Sequence, residues 1–70
     1  MDLGKAFKNR ENLDEVQLER LLQGLRDQVD LYKVSIKNYP PERMEKYGTP
    51  YLTMLVGRVK EVENILRNFR

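Results

Sequence analysis

Two segments of the chain repeat apolar residues at alternating intervals of three and four positions, and a proline-containing stretch separates them. The first repeat comprises Leu18, Leu22, Leu25, Val29, Tyr32 and Ile36. The second comprises Leu52, Leu55, Val59, Val62, Leu66 and Phe69. In an α-helix this spacing lines the apolar side chains along one stripe, which is buried only by packing against another helix. The pattern therefore predicts an all-α fold built on an antiparallel helical hairpin.

Residues that favour helix ends place the first long helix at about 13–37. Asn12 resembles an N-cap, and Glu15 three residues later completes the pattern of a capping box. Pro40 stops the helix, because the residue before a proline is disfavoured in helical geometry and proline cannot donate a backbone hydrogen bond. The residues before this start, 1–11, are expected to form an N-terminal arm. The remaining residues, 12–70, form a single helical-hairpin domain.

The second long helix is predicted at about 50–69. Thr49 resembles its N-cap, and Pro50 suits the first helical position, where the missing N–H costs nothing. Between the two long helices, residues 41–47 have room for a short helical turn. Gly48 is expected to end that turn in a left-handed conformation.

The small size of the chain and its composition restrict how it is stabilised. A chain of 70 residues makes one small domain with a marginal core. It contains neither cysteine nor histidine, which excludes disulfides and removes the commonest metal ligand. We expect no cofactor and no metal. Because no apolar run has the length of a membrane span or of a signal peptide, we expect a cytoplasmic protein with no membrane contact.

Apolar residues outside the two stripes indicate that the hairpin has more apolar surface than one helix pair can bury. The residues expected to mediate self-association are Leu21, Met54, Val56 and Ile65. A homo-oligomeric helix bundle is the simplest way to cover such a surface. The alternative is that the N-terminal arm and the 41–47 turn fold back over it.

All four tyrosines and all three prolines lie between residues 32 and 51, the turn end of the predicted hairpin. Basic residues share this interval, and the candidate binding residues are Lys37, Tyr39, Arg43, Lys46, Tyr47 and Tyr51. Tyrosine and arginine dominate protein-interface hot spots. The same residue types also stack on a base and hold a phosphate. A third interpretation is that the tyrosines only pack the end of the hairpin.

No pattern of residues in the chain predicts catalysis. The carboxylates are expected on solvated helix surfaces, whereas general acid–base chemistry needs a desolvated group with a shifted pKa. Serine and threonine have no histidine to activate them. The sequence therefore favours a small non-enzymatic regulatory or inhibitory protein that self-associates and binds a larger protein partner. The alternatives are an oligomeric protein that sequesters a nucleotide or another phosphate ligand, and a purely structural coiled-coil element.

Overall fold

A computed structural model describes residues 2–69 of the chain. Its elements are α1 (Leu3–Lys8), a 3-10 turn (Arg10–Asn12), α2 (Glu15–Ser35), α3 (Pro41–Arg43), a π-helical turn (Met44–Gly48) and α4 (Thr49–Phe69). Within these residues there is no β-strand. The prediction of an all-α fold is confirmed, and the assembly into an oligomeric bundle stays a prediction.

The two long helices, α2 and α4, pack against each other in opposite directions. Arg26 pairs with Glu63 at 2.9 Å, and nearer the turn the rings of Tyr32 and Tyr51 lie 4.7 Å apart between centroids. Residue numbers therefore rise along α2 as they fall along α4. The molecule measures 41 × 20 × 17 Å, as expected for helices of about 31 Å with a cap at one end.

The two apolar stripes form the core between the long helices, as the spacing predicted. The buried apolar side chains are Leu18, Leu21, Leu22, Leu25, Val29, Ile36, Leu55, Val62 and Leu66. Each fully buried side chain of this kind contributes about 1.5–3 kcal/mol relative to an exposed one. The last residue of the second stripe is the exception. Phe69 is 52% exposed, whereas Tyr32, Leu52 and Val59 are partly buried.

The first long helix begins two residues later than predicted. Its N-cap is Asp14, whose carboxylate accepts the backbone N–H of Gln17, while the Gln17 amide oxygen accepts the N–H of Asp14. Leu13 has extended backbone angles and packs on the same core as Leu18, so the two residues form a hydrophobic staple. Asn12, the predicted cap, belongs instead to the preceding 3-10 turn. The prediction of a capping box was correct, but the box is formed by Asp14 and Gln17 instead of Asn12 and Glu15.

The predicted break before the second long helix is absent, so α3, the π turn and α4 form one continuous helix. Thr49 has helical backbone angles (φ −64°, ψ −47°), and no glycine in the described residues has a positive φ. The expected left-handed stop at Gly48 and restart at Thr49 are therefore wrong. Pro50 has no N–H and its ring would crowd the preceding turn of an α-helix. The wider π turn relieves this crowding, with the Thr49 N–H donating to the Met44 carbonyl five residues back.

The N-terminal residues fold back onto the hairpin, the alternative that the sequence left open. Leu3, Ala6 and Phe7 of α1 pack against the core, beside Ile65 of α4. Leu21 is fully buried. We therefore assign Leu21 to the core of the folded chain and not to a self-association surface.

Candidate functional site

An open groove of about 680 Å³ lies at the turn end of the hairpin, between the last turns of α2 and the first turns of α4. We call it the tip groove. It is lined by Tyr32, Lys46, Tyr47, Pro50, Tyr51 and Met54. Five of these side chains are aromatic or largely apolar, and only Lys46 carries a charge. An exposed surface of this composition is typical of an interaction site.

A pair of tyrosines fixes the floor of the tip groove. The ring of Tyr32 on α2 meets the ring of Tyr51 on α4 at 4.7 Å and a tilt of 57°, a favourable arrangement for two aromatic rings. The Tyr32 hydroxyl also donates to the Tyr47 backbone carbonyl at 3.3 Å. Tyr32 therefore contacts both the π turn and α4. This links α2 to the segment that carries the exposed side chains of the groove.

The π turn packs closely onto the end of α2, which fixes the position of Tyr47. Gly48 is buried, and a Cβ built on it would lie 2.5 Å from the Met44 sulfur and 3.6 Å from Cδ1 of Ile36. The turn therefore leaves little room for a side chain at this position, and the nearest atoms are those of Met44 in the same turn. With the backbone of the π turn buried at Gly48, the side chain of the neighbouring Tyr47 is 64% exposed. Turns of this kind are frequent at functional sites.

Partial burial among aromatic rings raises the pKa of the Tyr32 hydroxyl above its usual value of 10.0. Tyr39 and Tyr51 raise it further, because their phenolates would repel a third negative charge. The guanidinium of Arg43 opposes these effects. The Tyr32 hydroxyl is therefore a neutral hydrogen-bond donor at physiological pH, and it has a structural role in the groove.

Two of the three predicted cationic residues, Arg43 and Lys46, line the groove or the depression beside it. The guanidinium of Arg43 stacks over the Tyr39 ring at 4.6 Å from its centroid. The ammonium of Lys46 lies 3.4 Å from the Glu42 carboxylate, and both side chains are exposed. This is an i, i+4 surface pair, which typically contributes less than about 1 kcal/mol. Lys37 is exposed in the turn after α2 and lines neither the tip groove nor its neighbour.

The six predicted binding residues thus divide into three groups. Lys46, Tyr47 and Tyr51 line the tip groove itself. Arg43 lines an adjoining shallow depression of about 320 Å³, which shares Lys46 and Tyr47 with the groove. Tyr39 belongs with Arg43, because the Arg43 guanidinium stacks over the Tyr39 ring. Lys37 lies apart from both.

Three lining residues were missed or were given another role from the sequence. Tyr32 lies on the core stripe, and its position there favoured packing alone. Met54 was expected to mediate self-association, and Pro50 was interpreted only as a helix start. The sequence did carry a signal for Met54, which follows Tyr47 and Tyr51 at intervals of four and three along one helix face. The sequence carries no comparable signal for Pro50, because Pro50 lies in the groove only if the helix continues through it.

Further grooves border the described part of the hairpin. One of them, along a side of the hairpin, is lined by Arg26, Val29, Asp30, Val56 and Val59. The base carries a more polar groove of about 480 Å³, in which Arg26 and Glu63 form an ion pair. Val56, expected to mediate self-association, is partly buried on the first of these surfaces, and Ile65 is partly buried against the core.

Within residues 2–69, no three histidine, cysteine, aspartate or glutamate side chains are grouped in a way that could hold a metal ion. Among the described helices, none combines the length and apolar character of a membrane span.

The chain was compared with known proteins at the level of sequence and of structure. No protein-family model, no curated protein and no solved structure matches it. The interpretation of the tip groove therefore depends on its own geometry and chemistry.

Proposed function

We propose that this chain is a small non-enzymatic regulatory or inhibitory protein that docks on a larger protein partner through the tip groove. The observation that supports this most directly is the exposure of Tyr47, Tyr51 and Met54 on one surface. Tyrosine contributes a large contact area with few rotatable bonds, so ordering it on binding costs little entropy. A groove already shaped in the free protein binds with less reorganisation than a flexible loop.

A protein partner fits the groove better than a nucleotide does. Nucleotide sites are concave and surround most of the ligand, whereas the tip groove is open along its length and largely apolar. The open apolar surface would gain most from the side chains of another protein.

The proposal is tested by affinity capture from the source cell with the intact protein and two matched variants. Tyr47→Ala removes an exposed side chain from the groove. Val16→Ala removes an exposed side chain of similar accessibility, 59% against 64%, from the far end of α2. A specific partner is expected with the unchanged protein and with Val16→Ala, and its recovery is expected to fall sharply with Tyr47→Ala. Reconstitution with the purified partner should show a loss of about 2 kcal/mol or more for Tyr47→Ala.

Two outcomes would contradict the proposal. Equal capture by both variants would show that the tyrosines only pack the tip. Calorimetric heat with a nucleotide, lost in Arg43→Ala and weakened by salt, would instead support the phosphate-ligand alternative. Hydrolysis of a nucleotide or an acyl phosphate by the purified protein would overturn its non-enzymatic character.

Self-association remains part of the proposal, on a smaller surface than the sequence indicated. Of the four residues expected to mediate it, Met54 is exposed in the tip groove and Val56 is partly exposed on another side. Sedimentation equilibrium at micromolar concentration is expected to show an oligomer that Val56→Asp dissociates while most of the helix is retained. A folded monomer for the unchanged protein would contradict this expectation.

A further inference from the structure

The long helices already hold one short helix in a groove between them. Leu3 of α1 covers Gly24 so closely that a Cβ at this glycine would lie 2.6 Å from Cδ2 of Leu3. At the other end of α1, the Phe7 ring has the guanidinium of Arg58 at 4.9 Å from its centroid. Gly24 belongs to α2 and Arg58 to α4, so α1 bridges the two long helices. The fold thus uses this side of the hairpin to bind a helix.

The tip groove continues the surface on which α1 lies. Met54 precedes Arg58 by one helical turn, and Tyr51 precedes it by two, so the three side chains follow one another along the same face of α4. On α2, Tyr32 lies two turns after Gly24 along the corresponding face. The six residues of α1 cover only the part near Gly24 and Arg58. The part near the turn is left open.

The open part has more basic than acidic side chains. The tip groove and its adjoining depression are lined by the cations Arg43 and Lys46 and by the carboxylate of Glu42, which together carry a net charge of +1. Lys46 lines the groove, and Arg43 lies at its rim. An apolar groove with a cationic rim complements a ligand with one apolar and one acidic face.

We infer that the tip groove takes a short acidic amphipathic helix of the partner, lying end to end with α1. The inference rests on the proposed function and specifies the partner's chemistry. The apolar face of the helix packs on Tyr47, Tyr51 and Met54, in the mode by which helices bind grooves through residues at i, i+3, i+4 and i+7. Its carboxylates face Lys46 and Arg43. The charges set register and association rate, and the tyrosines supply most of the affinity.

Two synthetic peptides of about four helical turns test this inference. Both carry leucine and phenylalanine at i, i+3, i+4 and i+7; one has glutamate on the opposite face, and the other has lysine at the same positions. Each is titrated into the intact isotopically labelled protein and followed by NMR. The glutamate peptide is expected to shift the signals of Tyr47, Tyr51 and Met54, with an affinity that falls as salt rises. The lysine peptide is expected to bind at least about tenfold more weakly.

Charge reversal provides the matched control. Lys46→Glu is expected to weaken the glutamate peptide about tenfold and to strengthen the lysine peptide. Lys60→Glu changes another exposed lysine, one that lines a different groove, and it is expected to change neither affinity. Lys46→Gln serves as a second variant, with an intermediate loss. Circular dichroism of all three variants verifies that the fold is retained.

The possible results separate this inference from the proposed function. Absence of binding by either peptide, equal binding by both, or shifts confined to the Val56 side would overturn the acidic-helix inference. If an intact partner still depends on Tyr47 but is insensitive to Lys46→Glu and to salt, the proposed function stands and the inference fails. Tighter binding of single-stranded oligonucleotides than of the glutamate peptide at the same residues would assign the groove to nucleic acid, and both would fail.

Discussion

The part of the hairpin surface that α1 covers and the open part at the tip groove contain the same kinds of side chain, but these side chains have different roles. In the covered part, the guanidiniums of Arg10 and Arg58 lie 4.2 and 4.9 Å from the centroid of the Phe7 ring. In the open part, Arg43 lies over Tyr39 at 4.6 Å, and Tyr47 beside it is exposed. Where α1 folds back over the hairpin, the Phe7 ring and its arginines hold the chain in place, and we call this contact the latch. At the tip, where no described segment covers the ring and arginine, the same residue types form a candidate docking surface.

The latch on α1 is also held by charged hydrogen bonds, whereas the hydrogen bond from the Tyr32 hydroxyl to the Tyr47 carbonyl at the tip is a neutral one. Arg10 donates from Nε to the Glu61 carboxylate at 2.8 Å and from Nη1 to the Phe7 carbonyl at 2.9 Å. One planar guanidinium thus contacts α4, the backbone of α1 and the Phe7 ring at once, which a lysine could not do. At the tip, the Lys46–Glu42 pair lies within one helix and joins no separate elements. The two regions should therefore differ in their contribution to stability.

The largest expected effect distinguishes the core from the tip. Leu55→Asp places an unpaired charge at a position that is 1% exposed, which costs several kcal/mol and should unfold a marginal domain of this size. Tyr47→Asp, at the exposed tip, should leave the fold intact. Circular dichroism and urea unfolding compare the two variants. A cooperative, native-like transition for Leu55→Asp would contradict the position of the core.

The next largest effect concerns the latch. Phe7→Ala removes half-buried aromatic surface and both guanidinium contacts, so we expect a loss of about 2 kcal/mol in the free energy of unfolding. For a domain of this size that lowers the melting temperature by roughly 10 °C. Lys8→Ala, an exposed change in the same helix, should stay within about 0.5 kcal/mol. Equal stability of the two variants would show that α1 contributes nothing to the fold.

A smaller effect compares two mid-helix glycines. Gly57 is exposed, and a Cβ built on it has no atom within 4 Å, so Gly57→Ala should raise stability by about 0.5–1 kcal/mol. Gly24→Ala has the same helix-propensity advantage, but its methyl group would collide with Leu3. We expect the displacement of α1 to cancel the gain. Chemical denaturation measures both variants, and an equal gain would mean that α1 yields to the methyl group at no cost.

The smallest effect is a pH dependence of the tip. Because the folded protein raises the pKa of Tyr32 above 10.0, its contribution to stability is complete below pH 10.0 and is lost as pH rises through the folded-state pKa. Phenolate absorbance should show a contribution from Tyr32 above pH 10.0, which Tyr32→Phe should remove. The same variant should lose less stability than the unchanged protein in this alkaline range. An absorbance titration that Tyr32→Phe leaves unchanged above pH 10.0 would contradict the packing around Tyr32.

Most of the fold was predictable because it depends on periodicity and on local helix signals. The stripes from Leu18 to Ile36 and from Leu52 to Leu66 are the interface between the long helices. The capping box was recognised two residues from its true place, since Asn12 and Asp14 are both good caps and only the extended conformation at Leu13 selects between them. For the candidate site, Lys46, Tyr47 and Tyr51 were predicted from composition near the turn. Pro50 was not, because its role depends on the π turn.

What the sequence determined by itself was an all-α hairpin with an aromatic and basic turn end, because apolar spacing and proline act through short-range geometry. The tertiary structure decided whether the excess apolar surface is covered and where the chain bends. Leu21 is buried because Leu3 and Phe7 fold back over this side of the hairpin, a contact between segments whose pairing no periodicity encodes. Gly48 and Pro50 lie within a continuous helix because packing of the π turn on Ile36 favours continuation over a break. Local propensity fixes the elements, and long-range packing selects which of their surfaces stay open.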